Sequence, residues 1–271
     1  MTHRKYLKTK KRIVVKVGTS LLAYDNGKLN LQRMEKLVRV LADLHNSGKE
    51  IILVSSGAVA VGMGIIGLKE RPAELVKKQA LAAIGQPALI RLYQKFFDEY
   101  SKTVAQVLLT RDGIENSLRR KNAKNTLQEL IVTGIVPVVN ENDTVITEEI
   151  EFGDNDFLSA MVATLVSADL LLILTDTDGV FTSDPHLDQT AQKVDKVMKA
   201  SDDLKDVDVN GSSKLGRGGM GSKIAAAELC REHNVDVVIS DGNDPATIQD
   251  VLEGKDLGTF FVSEATNHMA G

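Results

Sequence analysis

Short apolar runs alternate with amphipathic stretches along the whole chain. The runs cover residues 13–17, 51–54, 104–109, 135–139, 170–174, 235–239 and 259–262. Each is rich in Val, Ile or Leu and is bounded by Gly, Ser, Asn or Asp. Continuous apolar runs of this length suit strands buried on both faces of a parallel sheet. Between them, Met34, Leu37, Val38, Leu41 and Leu44 recur at three- and four-residue steps after Asn30, a helix cap, and Ser47-Gly48 ends that helix. Pro72 is read as opening a second helix, and Asp154 or Asn155 as capping a third over 157–166. Strands alternating with helices predict a three-layer αβα sandwich around a mostly parallel sheet. Ligands of such sheets gather at the carboxyl ends of the strands.

Composition narrows the function classes. The 271 residues hold 43% apolar and 26% charged side chains, with a formal charge of −4 and no Trp. Neither a basic field nor aromatic platforms for nucleic acid are present. Cys230 is the single cysteine, so no disulfide forms within the chain, and the five His show no paired ligand spacing for a transition metal. Lys16 interrupts the first apolar run and no run approaches the ~20 residues of a membrane span, so the expectation is a cytoplasmic protein. The basic arm at 1–12, with six Lys or Arg, reads as a solvated, frayed end. Residues 144–152 and 201–221 read as extended loops, the second long enough to carry function.

The residues that follow the strands carry the chemistry. Lys16-Val17-Gly18-Thr19-Ser20, Ser55-Ser56-Gly57-Ala58, Asn140-Glu141-Asn142-Asp143, Gly153-Asp154-Asn155-Asp156, Thr175-Asp176 and Arg217-Gly218-Gly219-Met220-Gly221-Ser222-Lys223 share one theme, a small or charged residue beside a turn and then a helix. Glycines admit close backbone approach, and helix N-termini offer unpaired N–H groups to anions. Singly, each has a plain structural reading: an edge-strand lysine for Lys16, a generic turn at Ser56-Gly57, capped turns at Asn140–Asp143 and Thr175-Asp176, an N-cap with dipole-compensating acids at 154–156, a flexible linker at 217–223. The last segment ends Gly-Ser-Lys without a strand before it, so it is not a P-loop. Two lysines, several glycine turns and a set of carboxylates and amides together form the kit of phosphoryl transfer, which rests on positioning and charge neutralisation.

These six motifs, in this order, resemble the glutamate 5-kinase family of the amino acid kinase superfamily. The resemblance implies one kinase domain over 1–271, with residues 13–168 holding the amino acid and 169–263 the nucleotide, and a short form without the C-terminal PUA domain of many members. It implies ATP-dependent phosphorylation of L-glutamate as the first step of proline biosynthesis. By position, Lys16 and Lys223 would flank the moving phosphoryl group and Asp156 would orient them. Ser56, Gly57, Ala58, Asn140, Asp143, Asp154 and Asn155 would hold the amino acid. Lys16, Gly18, Thr19, Thr175, Asp176, Arg217, Gly218, Gly219, Met220, Gly221, Ser222 and Lys223 would line the ATP site, with Mg²⁺ carried by the nucleotide. Arg217 stands where the family has Thr, and Ser222 where Thr is common. A reductase that consumes the acyl phosphate, and a homo-oligomer, are the expected partners. The competing readings are another small-acceptor kinase of the fold, acting on N-acetylglutamate, carbamate or a nucleoside monophosphate, and a non-catalytic amino-acid sensor. The sensor would have lost a lysine, and both are present.

Overall fold

A computed structural model describes residues 3–24, 28–146, 155–185, 187–205, 207 and 219–270. Ten strands are present among them: β1 (Arg12–Val17), β2 (Glu50–Ser55), β3 (Val104–Leu109), β4 (Val136–Glu141), β5 (Leu170–Thr175), β6 (Val180–Phe181), β7 (Lys193–Val194), β8 (Lys196–Val197), β9 (Asp236–Asp241) and β10 (Thr259–Phe261). Eight form one sheet in the order β3-β4-β2-β1-β5-β9-β10-β8, and β6 pairs with β7 apart from it. The run from β3 to β9 is parallel throughout. β10 lies antiparallel to β9. All seven apolar runs are strands, and the expected αβα sandwich with a mostly parallel sheet is observed.

Alternation along the strands divides the core in two. Ile13, Val15, Val17, Ile51, Leu53, Leu170, Leu172 and Leu174 belong to one cluster, and Val14, Ile52, Val54, Leu171, Ile173, Val237 and Ile239 to the other. The first face is covered by α2 (Leu31–Asn46) and α4 (Leu75–Asp98), the second by α6 (Ser117–Val132), α7 (Asn155–Leu165) and α9 (Met220–Glu232). The shorter helices are α1 (Thr19–Leu22), α3 (Ala58–Ile66), α5 (Arg111–Glu115), α8 (Ala200–Asp203), α10 (Thr247–Leu252) and α11 (Glu264–Ala270). Asn30 caps α2 as expected, its Oδ1 accepting the Arg33 N–H at 3.1 Å. Pro72 does not start α4, which begins at Leu75; Ala73 and Glu74 are exposed, so no packing extends the helix to them.

The described part of the basic arm, from His3 on, is not frayed. His3–Thr9 form a 3-10 helix with Leu7 fully buried. Arg4 donates to the carbonyls of Asp195 and Gly258 at 2.9 and 2.8 Å and pairs with Asp256. Amphipathic burial of cationic side chains explains the outcome: their stems pack while their heads find acceptors.

β1 lies in the middle of the sheet, and the chain leaves it in both directions, toward β2 and toward β5. Such a reversal opens a crevice at the carboxyl ends of the two strands. Gly18 and Thr175 stand at those ends.

Candidate active site

Lys16 faces the second half of the core, where α7 and α9 pack. β1 is not an edge, so the solvent-reaching reading of this lysine is overturned; Lys16 is 3% exposed. α7 brings Asp156 in its first turn, where a carboxylate also complements the helix dipole. Asp156 is fully buried, and its two oxygens are divided. Oδ1 meets the Lys16 ammonium in close contact. Oδ2 accepts from Lys223 Nζ at 3.1 Å and from Ser222 Oγ at 3.0 Å, both on the first turn of α9. Lys223 is 6% exposed. Two lysines 207 positions apart in sequence, counted from 16 to 223, therefore converge on one carboxylate. Burying such charges is costly unless they are paired, and this pairing supplies the compensation.

A second cluster is built from amides. Gly57 adopts φ +111°, in the left-handed region, to turn the chain from β2 into α3. That turn presents Ser56, whose N–H reaches the Val17 carbonyl at 3.1 Å. Asn155 Nδ2 donates to Ser56 Oγ and to Asn140 Oδ1, both at 2.8 Å. Asn140 Oδ1 also accepts the Glu141 N–H at 2.9 Å, and Asn140 Nδ2 donates to Gln86 Oε1 at 2.8 Å. Asp143 sits half-buried on the turn after β4. Ser56, Asn140 and Asn155 are thus joined in one network, next to Asp156 along α7. Ala58 is the first, buried residue of α3.

The other expected contacts lie around the ends of β1, β5 and α9. Gly18 precedes α1, which Thr19 begins, and a Cβ on Gly18 would lie 3.8 Å from Lys16 Nζ. Thr175 ends β5 and donates to Asp176 Oδ1 at 3.1 Å; Asp176 is exposed. Gly219 caps α9, and Met220 and Gly221 form its first turn. Asp154, Arg217 and Gly218 lie outside the described residues. Gln86 is absent from the sequence reading. Its signal was available: it falls on the stripe of Leu81, Ala82, Gly85, Leu89 and Tyr93, where a polar residue needs a buried partner. Asp178 was missed too. It accepts from Lys193 at 3.0 Å and from the Gly258 N–H at 2.9 Å, bracing the loop after β5.

The model of the amino acid kinase family matches residues 11–241. A glutamate 5-kinase of Clostridium perfringens is 48% identical over 265 residues, covering 96% of this chain and 98% of that protein. The chain belongs to the amino acid kinase family and, within it, to the glutamate 5-kinases. Another glutamate 5-kinase, from Caldanaerobacter subterraneus subsp. tengcongensis, is 51% identical over 251 residues, 93% of this chain and 68% of its own length. Solved structures share the fold of the amino acid kinase family: UMP kinase from Ureaplasma parvum superposes with a TM-score of 0.66 at 18% identity, covering 94% of this chain and 99% of that one. Isopentenyl phosphate kinase from T. acidophilum gives 0.65 at 17% identity, over 93% and 100%. No helix among the described residues is long and apolar enough to cross a membrane.

Proposed function

We propose that this chain transfers the γ-phosphoryl group of ATP to the side-chain carboxylate of L-glutamate, giving ADP and L-glutamyl 5-phosphate, the first step of proline biosynthesis. The observation that carries the mechanism is the meeting of Lys16 and Lys223 on opposite oxygens of Asp156. A carboxylate oxygen of glutamate attacks the γ-phosphorus as the bond to the β,γ-bridging oxygen breaks, and that oxygen leaves on ADP. The attacking group is already ionised near pH 7, so no general base is required. What remains is to neutralise charge on the transferring oxygens, which the two ammonium groups do while Asp156 holds their spacing.

Residues 13–168 hold the amino acid. Ser56 with Gly57, Ala58, Asn140 and Asn155 takes its α-carboxylate and neighbouring polar atoms, and Asp143, with Asp154, its ammonium. Residues 169–263, joined by Gly18 and Thr19, hold the nucleotide through Thr175, Asp176 and 217–223. Mg²⁺ would be carried by the nucleotide rather than by a protein cage, and would supply further neutralisation of phosphate charge. Among the described residues, the two ammonium groups and the hydroxyl that meet Asp156 suit phosphate oxygens rather than the ion. An acyl phosphate is reactive in water, so a reductase that consumes it is the fitting downstream partner; faster product formation on mixing the two enzymes is the check. Self-association follows from the family, and light scattering measures it.

The test is ATP turnover with a panel of acceptors, trapping the acyl phosphate as a hydroxamate. Hydroxamate from L-glutamate is expected. Hydroxamate from N-acetylglutamate with none from L-glutamate would defeat the substrate assignment.

A further inference from the structure

α4 carries a polar stripe that points at the amino-acid subsite. Gln79, Gln86 and Tyr93 are spaced by seven residues, close to two helical turns, and so share a face. Each reaches a different wall of the subsite. Gln79 Nε2 donates to the Ile146 carbonyl at 2.9 Å, holding the far end of the segment that contains Asp143. Gln86 Oε1 accepts from Asn140 Nδ2 at 2.8 Å, and the Tyr93 hydroxyl pairs with Ser55 Oγ at 2.8 Å, one residue before Ser56. The helix is itself locked in place. A Cβ on Gly85 would lie 1.9 Å from the Ala58 carbonyl oxygen, and one on Gly62 would lie 2.1 Å from that of Leu81. α3 and α4 therefore touch backbone to backbone beside the Ser56-Gly57 turn.

Gln86 holds the middle of this stripe and is 8% exposed. The Glu141 N–H can be met only by the carbonyl side of the Asn140 amide, which turns the amino side to the Gln86 carbonyl, and that second bond anchors the side chain. Asn140 is thereby held in one of its two flips, with Oδ1 toward Asn155. Both hydrogens of Asn155 Nδ2 are then engaged, on Asn140 and Ser56, which turns the Ser56 hydroxyl hydrogen outward as a donor. A donor hydroxyl suits a carboxylate, and the carbonyl of Asn155 suits an ammonium. We propose that Gln86 is a positioning residue for the amino-acid subsite, setting through Asn140 the donor and acceptor order that Ser56 and Asn155 present to an α-amino acid. The proposal rests on the glutamate-site reading above.

The experiment compares Gln86→Met, Asn155→Ala and Asn140→Ala, alone and with Gln86→Met, in steady-state kinetics with both substrates. Gln86→Met should raise the glutamate KM about 10-fold, with the ATP KM and kcat within about twofold, the signature of lost binding to one substrate. In the Asn140→Ala background it should add less than about twofold, because its effect passes through Asn140. An unchanged glutamate KM, an equal rise for both substrates, or a full effect without Asn140 overturns the positioning role. Gln86→Leu, which also lacks an acceptor, should raise the glutamate KM as Gln86→Met does; if Gln86→Met does not fold, an unchanged glutamate KM in Gln86→Leu overturns the role instead. If Asn155→Ala leaves the glutamate KM unchanged, the site reading fails and the inference with it. A raised KM there beside a normal Gln86→Met sinks the inference alone.

Discussion

Two aspartates are fully buried at opposite ends of the sheet, and they do different work. Asp236 opens β9 at its amino end; its oxygens take Lys10 at 2.6 Å, the Ser263 N–H at 2.7 Å and Thr266 Oγ1 at 2.8 Å. One cation meets one anion there, and the pair ties the N-terminal arm to the start of α11. Asp156 sits at the carboxyl end and divides its oxygens between two ammonium groups from β1 and α9. Neither lysine has that carboxylate to itself, so under the proposed mechanism one can turn toward a phosphate while the other still holds it. The same side chain at the same depth is a clasp where charges match one to one, and a cation holder where two lysines share it. Burial alone does not separate the two; the company each buried charge keeps does.

Substitutions that leave volume unchanged should separate the two roles. Asp156→Asn is expected to lower kcat on the order of 10²-fold or more, since both ammonium groups proposed to meet the phosphoryl lose their anchor. Retained turnover would place Asp156 outside the mechanism. Asp236→Asn is expected to cost about 3 kcal/mol of unfolding free energy, read from denaturant melts, while kcat stays within about twofold. A matching loss of activity would erase the distinction between the two ends. Asp143→Ala, on the amino-acid side, should raise the glutamate KM about 10-fold with the ATP KM little changed; equal changes in both refute its ammonium role.

The smallest effect concerns Cys230, which packs between α9 and α7 with its Sγ 3.9 Å from the Ala160 carbonyl. Burial pushes its thiol up from 9.0 to about 12. The native protein should resist an aromatic disulfide reagent at pH 8 and yield one thiol after unfolding; fast native labelling would show that the two helices carrying Asp156 and Lys223 separate readily. Because the folded-state value is the higher one, this group stabilises the fold below pH 9, and its contribution is lost as pH rises from 9 toward 12. Denaturant midpoints of the native chain and Cys230→Ala, measured across that window, should converge as pH rises.

What was legible in the chain was whatever depends on local pattern. The strands announced themselves because both their faces are buried, leaving continuous runs of Val, Ile and Leu. Lys16 stood out as a charge inside such a run, and Asp156 as an acid at a helix start. The Lys10–Asp236 clasp was hidden because its partners are far apart in sequence and each looks like an ordinary surface charge alone. Gln86 and Gln79 were hidden differently: a glutamine in an amphipathic helix reads as a solvated position until its face is known. The antiparallel setting of β10 and the packing of the 3–9 helix are likewise tertiary outcomes that no periodicity encodes. Thr175 and Asp176 were singled out by their place after a strand, whereas Asp178, two residues on, had no motif to mark it.

The claim underlying all of this is that Lys16 and Lys223 act together on one migrating phosphoryl group. Its most direct test is kcat for Lys223→Ala at saturating ATP and L-glutamate, with the acyl phosphate trapped as hydroxamate. A fall on the order of 10²-fold or more, with the protein still folded, is the expected result. Turnover near that of the unmodified chain would contradict it.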